Sequence, residues 1–147
     1  MEVCCTPEFE EQVEKLSKNK SYASLGAELA AAYCGVTFEQ ASTGDLLFPM
    51  PGLSFIKKRL AGRGGYRVYV LAVVREERVY LGFVHPKTGR YGADNVTTVR
   101  KAAILKEIQA AIATGQLYRL EPAPVRFAAL YPGLTVVQIS TCSHQLR

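Results

Sequence analysis

The stretch from Tyr66 to Val84 constrains this chain more than any other. Tyr66 to Val74 is almost entirely β-branched, aromatic or aliphatic, with one charge, Arg67, near its start. Arg75, Glu76, Glu77 and Arg78 interrupt it, and Val79 to Val84 is apolar again, ending in His85, Pro86 and Lys87. Two such runs around a short charged break read as a β-hairpin. Basic residues stand at its ends: Lys57, Lys58 and Arg59 precede a glycine turn, Gly62-Arg63-Gly64-Gly65. An unpaired charge is costly to bury, so a cation in such a strand must face solvent or a partner. The hairpin is therefore a platform that presents cations, and a polyanion is the partner they suit.

The surroundings of the hairpin define an α+β class. Thr6-Pro7 is a helix start, with a hydroxyl cap and then a proline. Phe9, Val13 and Leu16 follow at helical spacing, and Leu25, Leu29 and Tyr33 repeat it before Gly35. Together they form a helical hairpin. Residues 36–52 are rich in Ser, Thr, Gly and Pro and read as loop around a short strand or turn. Leu53 to Leu60 is a strand with Lys57 and Arg59 on one face and Ile56, Lys58 and Leu60 on the other. A last helix spans about Thr97 to Thr114, closed by Gly115. Met1 to Cys5 reads as an edge strand. The expected architecture is an antiparallel sheet of about four strands, packed against the N-terminal helical hairpin and the later helix. Pro122 and Pro124 mark a change of character, so residues 1–117 are taken as the main domain and 118–147 as an extension with one strand near Leu134–Ser140.

The net charge of +5 suits an acidic partner, and the lysines and arginines concentrate between Lys57 and Lys101. The four cysteines form no Cys-x-x-Cys pair, which argues against a structural zinc, and no carboxylate or metal-ligand spacing accompanies the hairpin, so no metal or cofactor is expected. No long apolar run or leader pattern is seen, which points to the cytoplasm and away from a membrane.

The relation of Arg67 to His85 depends on the hairpin register. With a loop of Arg75-Glu76-Glu77, Val74 pairs with Arg78 and Arg67 lies opposite His85. With a loop of Glu76-Glu77 alone, the two point to opposite faces. The three-residue loop is favoured, because two-residue loops favour dipeptides such as Asn-Gly, which are absent here. On one face, Arg67 and His85 suit cleavage of an RNA backbone. Histidine can exchange the proton of the 2′-hydroxyl or of the leaving oxygen, and arginine can grip the phosphate. Lys57 or Lys87 can assist if neighbouring cations lower its pKa.

The run IKKRLAGRGGYRVYVLAVVREERVYLGFVHPKTGRYG resembles the RelE/HigB toxins of bacterial type II toxin-antitoxin pairs, in its basic strand, glycine turn, "GGYR" strand start and hairpin. The resemblance spans roughly Val3 to Leu117 and implies a microbial-ribonuclease-like fold. It also implies a ribosome-dependent endoribonuclease that cuts mRNA, independent of metal and held inactive by a cognate antitoxin, through which it can oligomerise. Carried over, Arg67 matches the arginine that contacts the scissile phosphate. Lys57 and Arg59 match the basic strand, and His85 and Lys87 occupy the last-strand motif, where relatives often have tyrosine in place of His85. Lys58, Arg63, Arg90 and Tyr91 complete an expected RNA-binding surface. Relatives that poison DNA gyrase lack the catalytic set, so gyrase inhibition, or nucleic-acid binding without cleavage, is the alternative expectation.

Overall fold

The computed structural model describes residues 1–61, 65–88, 92, 96–121, 126–130 and 137–139. It is a mixed α+β protein, and the described residues form one sheet of eight strands rather than four. The strands are β1 (Glu2–Cys5), β2 (Asp45–Met50), β3 (Leu53–Leu60), β4 (Tyr66–Val73), β5 (Arg78–Pro86), β6 (Leu117–Glu121), β7 (Arg126–Leu130) and β8 (Val137–Ile139). Their order across the sheet is β2-β3-β4-β5-β1-β6-β7-β8. The α-helices are α1 (Pro7–Ser17), α2 (Leu25–Tyr33), α3 (Phe38–Ala41) and α4 (Thr98–Thr114), with a 3-10 turn at Lys20–Tyr22.

Two layers of helix cover the two faces of the sheet. Phe9, Val13 and Leu16 of α1 and Leu25, Leu29 and Tyr33 of α2 pack on Ile56, Val68, Val70 and Leu81. Ile104 and Ile108 of α4 pack on the other face, against Phe55, Tyr69, Leu71 and Tyr80. The alternation of Phe55 with Ile56, and of Tyr69 with Val70, is the period of two that a sheet buried on both sides requires. The helix ends follow their caps. The Thr6 hydroxyl accepts from Phe9 N at 3.1 Å and Thr97 from Arg100 N at 3.1 Å, while Gly115 leaves α4 at φ 72°.

Three expectations change. Met1–Cys5 is not an edge: β1 lies between β5, to which it runs parallel, and β6, to which it runs antiparallel. Residues 36–52 hold the short strand expected there, β2 at the sheet edge, and in addition a short helix, α3, closed by a Thr37–Gln40 capping box. From residue 117 onward β6 and β7 continue the same sheet, and Leu120 and Phe127 join the core under α1.

The hairpin reaches its register by a route other than the one expected. Val73, not Val74, faces Arg78, so the loop is the four residues Val74 to Glu77. Glu77 takes φ 48°, and its N–H closes the turn on Val74 O at 3.2 Å. Continued without interruption, that pairing would set Arg67 opposite Val84 and turn His85 to the other face. A β-bulge prevents this. Tyr69 faces Phe83 while Val70 faces Leu81, leaving Gly82 unmatched, and Arg67 then lies opposite His85. Gly82 is the residue that fits there, because a Cβ on it would stand 2.5 Å from Ile108 Cδ1 of α4. The Thr6 hydroxyl donates to Gly82 O at 3.3 Å and ties the start of α1 to the bulge.

Candidate nucleic-acid interface

The bulge builds two adjoining rows on the α4 face. One runs Asp45, Lys57, Tyr69, Phe83 across β2 to β5, and the next runs Arg59, Arg67, His85 across β3 to β5. Lys57 and Arg67 are half-buried and Arg59 is exposed. Arg59 is paired with Asp45 at 3.2 Å. Arg67 donates to the neighbouring Tyr66 carbonyl at 3.1 Å. Among the described residues, no carboxylate lies within 4.0 Å of either Arg67 or Lys57. The two therefore place uncompensated positive charge on one face of adjacent strands. Lys87 is exposed just beyond β5, its N–H bound to Gly65 O at 3.1 Å. Gly65 has φ 75°, a backbone that favours glycine, and so sets the close approach of β4 to the end of β5.

His85 shares the face of Arg67, as the sequence predicts, but it does not reach solvent in the way a proton donor to RNA must. Only 3% of it is exposed. Its Nδ1 bonds Pro86 O at 2.9 Å, and a carbonyl only accepts, so Nδ1 carries the proton. The bare Nε2 then accepts from the Tyr69 hydroxyl at 3.3 Å. Burial pushes the pKa of His85 down, and the charges of Arg67 and Lys57 push it further, against the opposing bond to Pro86. The ring is therefore neutral at physiological pH. It stacks on Tyr69 with centroids 5.7 Å apart, and Phe83 completes an aromatic trio. Tyr69 is fully buried, which raises its pKa, while Arg67 and a backbone bond from Val96 draw it down.

Lys58 stands on the opposite face from Lys57 and Arg59. Its ammonium donates to Gln40 O at 2.8 Å and Thr43 O at 3.1 Å, so it pins the α3–β2 connection to β3. Its partial burial lowers its pKa. Arg63, Arg90 and Tyr91, expected to bind RNA, lie outside the described residues. The sequence reading missed Arg100, which sits 4.8 Å over the Phe83 ring and pairs with Glu107 at 3.3 Å. The three-residue offset from its Thr97 cap was the available signal, since it places Arg100 in the first turn of α4.

Among the described residues, no three His, Cys, Asp or Glu side chains come together to hold a metal ion, and no helix is long and apolar enough to cross a membrane. No protein-family model matches this chain, and no curated protein matches it significantly.

Proposed function

We propose that this chain is an endoribonuclease toxin of the RelE/HigB type, cutting mRNA on the ribosome without a metal and restrained by an antitoxin. One observation carries the proposal. Arg67 and Lys57 stand diagonally across β4 and β3 on one sheet face, half-exposed and without a carboxylate, while Arg59, directly opposite Arg67, is paired with Asp45. An arginine so placed takes a phosphate by two parallel hydrogen bonds and meets the charge that grows on it as the 2′-oxygen attacks. Lys57, one row away on the same face, and Lys87, exposed just past β5, are open to the substrate. Neutral His85 holds Tyr69 and so fixes the floor beneath Arg67, rather than donating a proton itself. Cations hold phosphate without aligning the 2′-hydroxyl. Alignment is worth up to about 7–11 kcal/mol in well-oriented cases, and a ribosome that presents mRNA in a fixed bend supplies it.

The test is cleavage of one mRNA with and without ribosomes, at two salt concentrations. Cutting should need ribosomes, weaken steeply with salt, and fall on the order of 100-fold in a folded Arg67→Ala variant. Equal cutting of free RNA would refute ribosome dependence, and an active Arg67→Ala protein would refute the site. The burial of His85 favours one second reading, a protein of this type that binds nucleic acid or inhibits DNA gyrase without cutting RNA. No cleavage in any arm, with loss of supercoiling in a gyrase assay, would establish it.

A further inference from the structure

Where β1 ends at Cys5, β5 loses its neighbour on that side, for the register of β1 stops at Leu81. A cleft of about 360 Å³ opens there between α1 and the start of α4. Gln12 and Lys15 form one wall, Phe83 and His85 the floor, and Thr97 and Arg100 the other wall. That volume is near the lower end of ligand clefts, which run about 300–1,000 Å³, and admits one small flat molecule. The Arg100 guanidinium lies over the Phe83 ring, 4.8 Å from its centroid, and Glu107 holds it in place. Gln12 offers both a donor and an acceptor from the facing helix. The floor residue His85 is directly opposite Arg67, so the cleft begins one strand away, about 4.8 Å, from the cation that faces the phosphate.

The geometry points to a nucleobase subsite: the base beside the phosphate held by Arg67 turns into the α1/α4 cleft, lies against Phe83 and Arg100, and offers its polar edge to Gln12. Single-stranded RNA is read in this manner, by stacking on aromatic rings or guanidinium planes with hydrogen bonds to a base edge. The inference rests on the RNA reading above and adds to it where sequence preference arises.

The probe is a trinucleotide with 2′-O-methyl groups, which cannot be cut, titrated into the full chain by fluorescence anisotropy. Each position is replaced in turn by an abasic sugar. One position should lose affinity on the order of tenfold and the others little. At that position Gln12→Ala should level the differences between the four bases, and Phe83→Leu should abolish the tenfold loss. Thermal melts check that both variants are folded, and Gln12, half-exposed where α1 lines the cleft, keeps the test sound should Phe83→Leu unfold. Equal losses at all positions, or a base preference unchanged in Gln12→Ala, would overturn the subsite while leaving phosphate binding by Arg67 standing. No binding of any trinucleotide would overturn the subsite, and the RNA reading falls with it only where ribosome-bound mRNA is not cut either.

Discussion

Replacing Gly82 by alanine tests the device that brings Arg67 and His85 together. The added Cβ would lie 2.5 Å from Ile108 Cδ1, 2.6 Å from Ile108 Cγ1 and 3.1 Å from Ile104 Cγ2. Ile104 and Ile108 are fully buried, so neither can swing into solvent to make room. Forcing a methyl into so tight a core costs about 1–3 kcal/mol. For a chain of this length that lowers the melting temperature by roughly 3–10 °C. The clash is specific, so it should be relieved by its partner. Ile108→Ala alone should cost about 2–5 kcal/mol through the cavity it leaves. In the double variant the methyl added by Gly82→Ala enters that cavity, and the total loss should fall short of the sum of the single losses by about 1–2 kcal/mol. Urea denaturation followed by circular dichroism measures all four proteins. Strictly additive losses, or a Gly82→Ala protein as stable as the parent, would show that α4 does not press on the bulge.

Other outcomes follow from the same geometry. The folded pKa of His85 lies below its ordinary 6.5, so the unfolded chain takes up the proton first and stability falls as pH drops through that value. His85→Gln cannot titrate, and the stability gap between parent and variant should narrow from pH 7.5 to 5.5; a constant gap would mean His85 is not buried neutral. Lys58→Ala should cost about 1 kcal/mol of stability through its two lost carbonyl bonds and leave RNA affinity nearly unchanged. Lys57→Ala should do the reverse, reducing the slope of log affinity against log salt by about 1 with no change in melting temperature. A swap of those two effects would invert the assignment of the faces of β3.

Most of the central hairpin is legible in the sequence, because strands buried on both sides read as continuous apolar runs, a signal local to each strand. The faces of β3 and the caps of α1 and α4 are legible for the same reason: each rests on residues within one or two turns of one another. The register is harder. Whether Arg67 meets His85 depends on the length of the turn and on Gly82, and the reason for glycine there lies in Ile108, far along the chain. The expected three-residue loop and the observed four-residue loop with a bulge bring Arg67 opposite the same residue, so agreement there reflects two offsets that cancel. The place of β1 was hidden too, since four residues carry no sign of how many neighbours they have. In the site, the sequence shows which cations share a face but not which are already engaged. Lys57 and Lys58 are adjacent and chemically alike, and only the fold separates an open ammonium from one held by Gln40 and Thr43. The burial of His85 likewise depends on the partners of its two ring nitrogens, Pro86 O and the Tyr69 hydroxyl, the second of which comes from another strand.

The position of β1 governs the order in which the molecule can be assembled. Glu2 waits for Arg78, and Cys4 for both Tyr80 and Arg119, before either edge of β1 is satisfied. On a ribosome, β2 to β5 can pair with near neighbours as they emerge, and β6 and β7 can do the same. β1, made first, can join β5 once β5 emerges, but its other edge stays open until β6 has been made. Contacts this distant in sequence slow folding, and open edges in the meantime invite pairing with other chains. The cationic hairpin and its aromatic floor, all on β3 to β5, are thus built early, and the cleft gains its Arg100 wall only when α4 closes over the sheet.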